Sequence, residues 1–312
     1  MRVLAGDIGG THARLAVVEI AGGAARVEVD RTVPSHAAPA LAPLIEEFLK
    51  GLPDRPGRAC FGVAGPVVNG TVRATNLPWT IEARALAAAI GIPDTTLIND
   101  FEAVGFGVPL LGAEDLVTLQ RGEPADQGPI ALIGAGTGLG EGLLLWESGG
   151  YVVHPSEGGH ASFAPETARE LALLAFLAAR HGHVSSERVI SGPGLVAIFE
   201  SLTGRQEESA TISERALAGT DPAAVEALDL FAAAFGAAAG NLALTVLATG
   251  GVYLAGGIAP RIVKKLQDGT FIAAFRRKGR LAPVLERMPV RVVMSGDVGV
   301  LGAAAAALRH PE

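Results

Sequence analysis

The sequence predicts an α/β protein of two domains, on three observations. Strand-like and helical stretches alternate along the chain, a pattern typical of α/β folds. A strand, a glycine-rich turn and a second strand occur in that order twice, near the N-terminus and again after residue 130. The length of 312 residues and the hydrophobic content of 49% suffice for about two packed cores.

In the first part of the chain, apolar periodicity predicts strands at about 2–6, 13–20 and 25–33, and then a helix at about 39–52. Strands are expected near 58–64, 70–75 and 95–98. We expect Thr80 to N-cap an alanine-rich helix that ends at Gly91, because threonine favours that position and glycine favours helix ends.

In the second part, strands are predicted near 130–133, 142–146, 252–255 and 290–294, and helices at about 166–180, 188–202 and 222–249. The segment Leu230–Gly250 carries no charge and is about long enough to cross a bilayer, but it consists mostly of alanine and glycine, which favours a buried helix. The last helix, at about 298–309, is expected to pack back on the first domain.

Composition excludes several functional classes. The net charge of −7 and the absence of a Lys/Arg run argue against nucleic acid as a partner. Cys60 is the single cysteine, so no intramolecular disulfide and no cysteine-cluster zinc site are expected. A strand begins almost at residue 1, so we expect no signal peptide, no membrane partner and a cytoplasmic location.

The two glycine-rich turns are Asp7-Ile8-Gly9-Gly10-Thr11 and Gly134-Ala135-Gly136-Thr137-Gly138. Glycine permits sharp turns and lets backbone N–H groups approach a phosphate. Neither turn continues as a P-loop or as a dinucleotide-binding fingerprint, because a strand and not a helix follows. Two such turns predict that ATP is held from two sides, whereas either turn alone is also compatible with an ordinary β-hairpin.

Asp100 is the candidate catalytic base. It follows Asn99 at the end of an apolar strand, where α/β proteins place their sites. Phosphoryl transfer to an alcohol needs a carboxylate that takes the hydroxyl proton, and a partly desolvated Asp suits that role. The alternative is that both residues simply cap the helix that follows.

Glu157 and His160 lie in a loop between apolar stretches, and a carboxylate with a nearby imidazole suits the binding of sugar hydroxyls. The alternative is a solvated acidic loop. Glu187 is expected to start a helix, where an acid is also favoured electrostatically.

Asp7 is placed to hold Mg²⁺ through water, since Mg²⁺ usually binds one or two carboxylates together with substrate phosphates. Ordinary turn chemistry also explains an aspartate there. Gly256 and Gly257 follow an apolar strand and are expected to lie against the base or ribose of a nucleotide.

Seven stretches together resemble the bacterial glucokinases, the zinc-free members of the hexokinase-like, actin-fold sugar kinases. They run in family order over nearly the whole chain: Gly6–Arg14, Thr75–Trp79, Ile98–Phe101, Gly134–Gly140, Glu157–His160, Arg188–Gly194 and Ala255–Ile258. A sister group carries a cysteine-rich zinc loop, from which this chain departs.

The resemblance implies an actin-like (ribonuclease H-like) fold, with a small domain at 1–110 plus 298–312, a large domain at 111–297 and an active site in the cleft between them. It implies phosphorylation of glucose at O6 by ATP with Mg²⁺, Asp100 as base, and homodimers as usual in the group. Sugar-binding residues would be Asn99, Asp100, Glu157, His160 and Glu187, and ATP-binding residues would be Gly6, Asp7, Ile8, Gly9, Gly10, Thr11, Gly136, Thr137, Gly138, Gly256 and Gly257. A kinase for another hexose and a non-catalytic sugar sensor are the alternatives.

Overall fold

The computed structural model describes residues 1–75 and 77–309, so Asn76 of the Thr75–Trp79 stretch lies outside the described residues. The described chain forms two compact units. The first comprises Met1–Gly112 and the segment that begins at Ser295, and the second comprises Ala113–Met294. Both units mix strands and helices, so the predicted α/β class is confirmed.

The first unit contains a five-stranded sheet in the order β3-β2-β1-β4-β8 and a small three-stranded sheet, β5-β6-β7. Its strands are β1 (Arg2–Ile8), β2 (His12–Ala21), β3 (Ala24–Pro34), β4 (Arg58–Val63), β5 (Val67–Val68), β6 (Thr71–Arg73), β7 (Thr80–Glu82) and β8 (Asp94–Asn99). Helices α1 (Leu41–Lys50), α2 (Ala83–Ile90) and α3 (Asp100–Gly107) accompany them. β1 lies in the middle of the larger sheet, and its apolar side chains are buried.

The second unit has a six-stranded sheet in the order β12-β11-β10-β13-β14-β9. Its strands are β9 (Leu116–Gln120), β10 (Ile130–Ala135), β11 (Leu139–Glu147), β12 (Gly150–Ser156), β13 (Gly251–Ala255) and β14 (Val290–Val293). Its helices are α4 (Ala168–His181), α5 (Gly192–Thr203), α6 (Ser209–Ala218), α7 (Pro222–Val246), α8 (Ile258–Arg261), α9 (Val263–Leu266), α10 (Thr270–Arg276) and α11 (Ala282–Arg287).

The two larger sheets repeat one plan. In each, a first strand pairs antiparallel with the second, the second pairs antiparallel with the third, and two later strands extend the sheet in parallel beside the first. The glycine-rich turn connects the first and second strands in both units, as the sequence predicted. Each turn therefore lies at the carboxyl end of its first strand, the edge at which α/β sheets bind ligands.

Helix α7 is the one described helix that is long and apolar enough to cross a membrane by length and composition. About two thirds of its most apolar window (67%) is buried inside the protein. Phe231 and Phe235 on α7 are fully buried, and the ring of Phe235 packs edge-on against Phe271 of α10 at 5.5 Å between centroids. These contacts are those of a core helix, as the alanine-rich sequence indicated.

Some predicted element boundaries were wrong. Thr80 does not cap a helix: it pairs with Arg73 in the small sheet, and α2 begins after Glu82. Glu187 lies in a short 3-10 turn, Ser186–Arg188, and α5 begins only at Gly192, because Ser191 accepts the N–H of Gly194 with its side chain. Strands β9 and β12, helix α6 and the short helices between β13 and β14 were not predicted from the sequence.

A final helix, α12 (Val298–Ala306), belongs to the first unit and crosses α3 at close range. A Cβ built on Gly302 would overlap the carbonyl oxygen of Ala103 on α3, and one on Gly107 of α3 would overlap the carbonyl oxygen of Val298. Only glycine allows the backbones of two helices to approach so closely at these positions.

We expect Gly302→Ala to lower the free energy of unfolding by about 1–3 kcal/mol or more, because overpacking forces α12 away from α3. Gly296→Ala is the matched control, since a Cβ there meets no atom within 4 Å. Its effect should stay within about 0.5 kcal/mol. Urea denaturation of both variants checks the difference, and equal stabilities would contradict the packing described here.

Candidate active site

Asp100 is the first residue of α3 and directly follows β8. Its Oδ1 accepts the N–H of Phe101 at 2.9 Å, and the side chain is partly buried. Burial raises the pKa of Asp100, an effect that the hydrogen bond from Phe101 opposes. A carboxylate whose pKa moves towards neutral pH is a better proton acceptor than an ordinary one, provided that it stays ionised.

The capping alternative holds for Asn99. Its Oδ1 accepts the N–H groups of Phe101 at 2.9 Å and Glu102 at 3.2 Å, so Asn99 is the N-cap of α3. Its Nδ2 donates to the carbonyl oxygen of Gly65 at 3.0 Å. An amide nitrogen has two hydrogens, and a side-chain hydrogen bond from Asn99 also lowers the pKa of Asp100, so Asn99 contacts the carboxylate as well as Gly65.

Asp7 lies near Asp100. Asp7 on β1 pairs with Gly62 on the neighbouring strand β4. Gly62 in turn lies against Asp100, since a Cβ built on it would be 3.4 Å from Cα of Asp100. The pKa of Asp7 is raised to about 6, mainly by burial and further by the negative charge of Asp100, and the charge of Arg14 opposes the shift. The two carboxylates thus share one poorly solvated region and repel each other.

Arg14 and α12 hold this region in place. Arg14 donates to Asp30 and to the carbonyl oxygen of Gly296, both at 2.8 Å, and forms an ion pair with Asp297 at 2.7 Å. The guanidinium therefore already has carboxylate partners. A Cβ built on Gly299 of α12 would lie 2.9 Å from Oδ2 of Asp7, so the glycine leaves space for that carboxylate.

The first glycine-rich turn is shorter than the sequence suggested, because β1 continues to Ile8 and the turn proper is 9–11. Gly9 donates its N–H to the carbonyl oxygen of His12 at 3.0 Å, which closes the turn. The side chain of Ile8 is buried in the core, and Gly6 is packed against Phe61. Any nucleotide contact from Ile8 must therefore use its backbone.

The second turn is also closed internally. Gly136 donates its N–H to the carbonyl oxygen of Gly138 at 2.8 Å, and its own carbonyl oxygen accepts the N–H of Gly192 at the same distance. Thr137 is exposed at the tip. Gly256 has a φ of 79°, and a Cβ on it would overlap the carbonyl oxygen of Ala135. The structure thus brings the exposed Gly256-Gly257 pair beside this turn.

Three of the predicted sugar-binding residues come together in the second unit. Nε2 of His160 lies 3.7 Å from Glu157, and Nδ1 of His160 lies 3.8 Å from Glu187. These separations are too long for direct hydrogen bonds, so the polar atoms retain the capacity to bond a ligand. The exposed fractions of the Glu157 and His160 side chains, 84% and 61%, leave both accessible.

Glu141 was missed by the sequence analysis. A Cβ built on Gly158 would overlap its carboxylate, so Glu141 on β11 supports the loop that carries Glu157 and His160. Burial raises the pKa of Glu141. Nothing in its sequence context distinguishes it from any polar residue of a strand, since its importance depends on a loop 17 residues further along the chain.

Two carboxylates of the first unit suit a magnesium ion that also binds substrate phosphates, but among the described residues they do not form a complete metal site by themselves. Among the described residues, no group of three or more His, Cys, Asp or Glu side chains is arranged to hold a metal ion. Asp7 and Asp100 offer two neighbouring carboxylates in a poorly solvated region. Mg²⁺ commonly binds one or two carboxylates and completes its coordination with water and substrate phosphates.

The fold and this arrangement define a sugar kinase of the actin-like ATPase fold. The chain matches the family model described as glucokinase over residues 4–310. It is 42% identical to a glucokinase from Nostoc sp. over 98% of this chain and 99% of that protein. The chain therefore belongs to the glucokinase family, and its activity is ATP-dependent phosphorylation of glucose.

Solved structures of glucokinases are also similar to this chain. A glucokinase from an Antarctic psychrotroph has a TM-score of 0.91 and 33% identity, with 99% of each chain covered. A ROK family glucokinase from Streptomyces griseus, in complex with glucose and AMPPNP, has a TM-score of 0.67 and 24% identity over 99% of this chain and 100% of that chain. The second likeness concerns the fold alone. The predicted family is confirmed, and the sensor and other-hexose alternatives are not favoured.

The raised pKa of Asp7 predicts a pH-dependent penalty on folding. The folded protein takes up this proton near pH 6, and the unfolded chain takes it up only near pH 3.8. Ionised Asp7 therefore opposes folding above pH 6, and the penalty disappears as the pH falls from 6 towards 4. This penalty on the free energy of folding is at most about 3 kcal/mol, because solvent screening weakens the effect of the charge.

We expect Asp7→Asn to raise the free energy of unfolding by up to about 3 kcal/mol at pH 7.5 and to change it little at pH 4, because the amide cannot ionise. Urea denaturation at both pH values, in the presence of a chelator, measures the difference. An equal effect of the substitution at the two pH values would contradict the assignment of this penalty to Asp7.

Proposed function

We propose that Asp100 is the general base that takes the proton from O6 of glucose while O6 attacks the γ-phosphorus of ATP. The bond between the γ-phosphorus and the β,γ-bridging oxygen breaks, and ADP and glucose 6-phosphate form. The observation that carries this proposal is the partly buried carboxylate at the end of β8, whose Oδ1 is held by Phe101.

Sugar binding is assigned to Glu157, His160 and Glu187, with Asn99 and Asp100 as further ligands. Their clustering around His160 supports this assignment, because each carboxylate can accept hydrogen bonds from two neighbouring hydroxyls. Asn99 and Asp100 lie in the first unit, and Glu157, His160 and Glu187 lie in the second.

ATP binding is assigned to the two glycine-rich turns, to Gly256-Gly257, and to the backbone of residues 6–8 that leads into the first turn. Backbone N–H groups at such turns stabilise phosphate charge without a large change in structure. Asp7 would hold Mg²⁺ through water. When bound, the cation neutralises phosphate charge that develops during transfer.

We also propose a cytoplasmic enzyme with glucose and ATP as its small-molecule partners, without nucleic acid or membrane partners, and a homodimeric assembly. The net charge of −7 supports the absence of nucleic acid. Light scattering after size-exclusion chromatography tests the assembly.

The substrate proposal is tested by ADP release with Mg·ATP across glucose, mannose, fructose and N-acetylglucosamine, with a control that lacks sugar. We expect turnover with glucose to exceed that with every other sugar. Equal turnover across the sugars would show a broader hexokinase, and no turnover with any of them would contradict the proposal.

Asp100→Asn should lower turnover by about 10²–10⁴-fold and largely keep glucose binding, because the amide cannot accept the proton. Glu102→Gln, two residues further along the same helix, is the matched control and should keep turnover. Steady-state kinetics and glucose titration by calorimetry check both variants. Near-wild-type turnover of Asp100→Asn would exclude Asp100 as the base.

Glu157→Gln should weaken glucose binding by about 10- to 100-fold and ATP binding much less, because a charged acceptor to sugar hydroxyls is lost. Glu147→Gln is the control. Glu147 also lies beside a histidine, His154 at 3.1 Å, but it is at the end of β11 that is distant from the second glycine-rich turn. Calorimetry with each substrate gives the two affinities. A larger loss for ATP than for glucose would remove Glu157 from the sugar site.

A further inference from the structure

The carboxylate of Glu187 contacts the second glycine-rich turn. Its Oε2 accepts the backbone N–H of Leu139 at 3.0 Å, at the residue that directly follows the turn. A Cβ built on Gly138 would overlap the same carboxylate. A side chain at position 138 is therefore excluded by the space that the Glu187 carboxylate occupies. The backbone angles of the turn do not require glycine there, because the φ of Gly138 is outside the left-handed region.

The other oxygen of Glu187 faces the proposed sugar site. Oε1 lies 3.8 Å from Nδ1 of His160. The segment that carries Glu187 is bonded to the end of the sugar-binding loop, since Ser186 donates its N–H to the carbonyl oxygen of Ala161 at 2.9 Å. One carboxylate thus touches the end of a turn assigned to ATP and a histidine assigned to glucose.

Further contacts connect the same two regions. The N–H of Gly192, at the start of α5, donates to the carbonyl oxygen of Gly136 in the turn at 2.8 Å. Gly159 of the sugar-binding loop is packed against the carbonyl group of Leu139, where a Cβ would overlap the oxygen. A shift of the turn therefore moves atoms that hold both Glu187 and the sugar-binding loop.

We propose that Glu187 couples the nucleotide turn to the sugar site, so that ATP and glucose each raise the affinity for the other. A nucleotide that fixes the turn also fixes the Leu139 N–H that orients Glu187, and an oriented carboxylate binds sugar with a smaller loss of entropy. The effect must be reciprocal, because coupling between two binding equilibria is symmetric. The inference rests on the assignment of these two sites under Proposed function.

The first measurement is the Kd of glucose for the unmodified protein, by calorimetry, with and without Mg·AMPPNP, a non-hydrolysable ATP analogue. We expect glucose to bind about fivefold tighter or more when the analogue is present. Identical glucose affinities under the two conditions would overturn the coupling, whatever any variant does.

Two alanine substitutions in the same β10–β11 hairpin separate coupling from general damage. Gly138→Ala displaces the Glu187 carboxylate, so it should weaken glucose binding about tenfold even without nucleotide and bring the coupling ratio towards one. Gly142→Ala, on β11 beyond the turn, should leave the nucleotide-free Kd of glucose unchanged, because the nearest atom to a Cβ there is the carbonyl oxygen of His154 at an ordinary contact distance of 3.6 Å. Equal Kd values of glucose for the two variants would overturn the proposal. Thermal unfolding confirms that each variant is folded.

Glu187→Gln distinguishes a failure of the coupling from a failure of the site assignment. The amide oxygen can still accept the N–H of Leu139, but the charge available to the sugar is lost. If this variant binds glucose weakly while Gly138→Ala binds it as tightly as Gly142→Ala, the coupling is wrong and the sugar site stands. If Glu187→Gln binds glucose like the unmodified protein, the assignment of Glu187 to the sugar site is wrong, and the coupling falls with it.

Discussion

The close crossing of α3 and α12 is the constraint on which the positions of Asp7 and Asp100 depend. Glycines at 107 and 302 let the two helix backbones meet, and Gly299 leaves space for the carboxylate of Asp7. The same crossing supports the helix that begins with Asp100. A segment that follows the second unit in the chain therefore helps to position the residues of the first.

That packing keeps two carboxylates where water solvates them poorly, which costs folding free energy. Burial and mutual repulsion raise the pKa of Asp7 to about 6, and burial raises that of Asp100 as well. Such arrangements are typical of functional sites, because a proton acceptor and a cation-binding group both benefit from a poorly solvated environment. Arg14 offsets part of the cost through its charge.

The second unit uses the same hairpin plan with a different set of partners. Its turn is held from outside by the first residue of α5 and by the side chain of Glu187. The loop of residues 157–160, which we propose to bind sugar, packs on β11 through Gly158 and Gly159, against Glu141 and Leu139. Small residues in this unit thus mark positions where a functional side chain or backbone occupies the space that a Cβ would take.

The features predicted correctly from the sequence are those whose signal lies in neighbouring residues of the chain. The two hairpins, the strand that ends at Asn99 and the capping role of Asn99 all follow from residues that are neighbours in the chain. The resemblance to glucokinases, carried by motifs across the chain, was confirmed by the family match over residues 4–310.

The errors and omissions have a common cause in contacts distant along the chain. Thr80 fits a helix N-cap by residue type, but pairing with Arg73 draws it into a strand. Glu141 matters because it contacts Gly158, and Gly299 matters because it leaves space for Asp7. Local periodicity cannot predict contacts between residues so far apart in the chain. Glu187 was expected at a helix start, whereas its carboxylate is bound by a backbone N–H 48 residues earlier in the chain.

The most direct test of the central claim is a crystal structure of the protein with glucose and Mg·AMPPNP. Asp100 as the base requires one of its carboxylate oxygens at hydrogen-bond distance from O6 of glucose, about 2.6–3.2 Å. It also requires Glu157, His160 and Glu187 on other hydroxyls of the sugar. A complex in which O6 lies beyond hydrogen-bond reach of Asp100, or beside a different carboxylate, would contradict the mechanism.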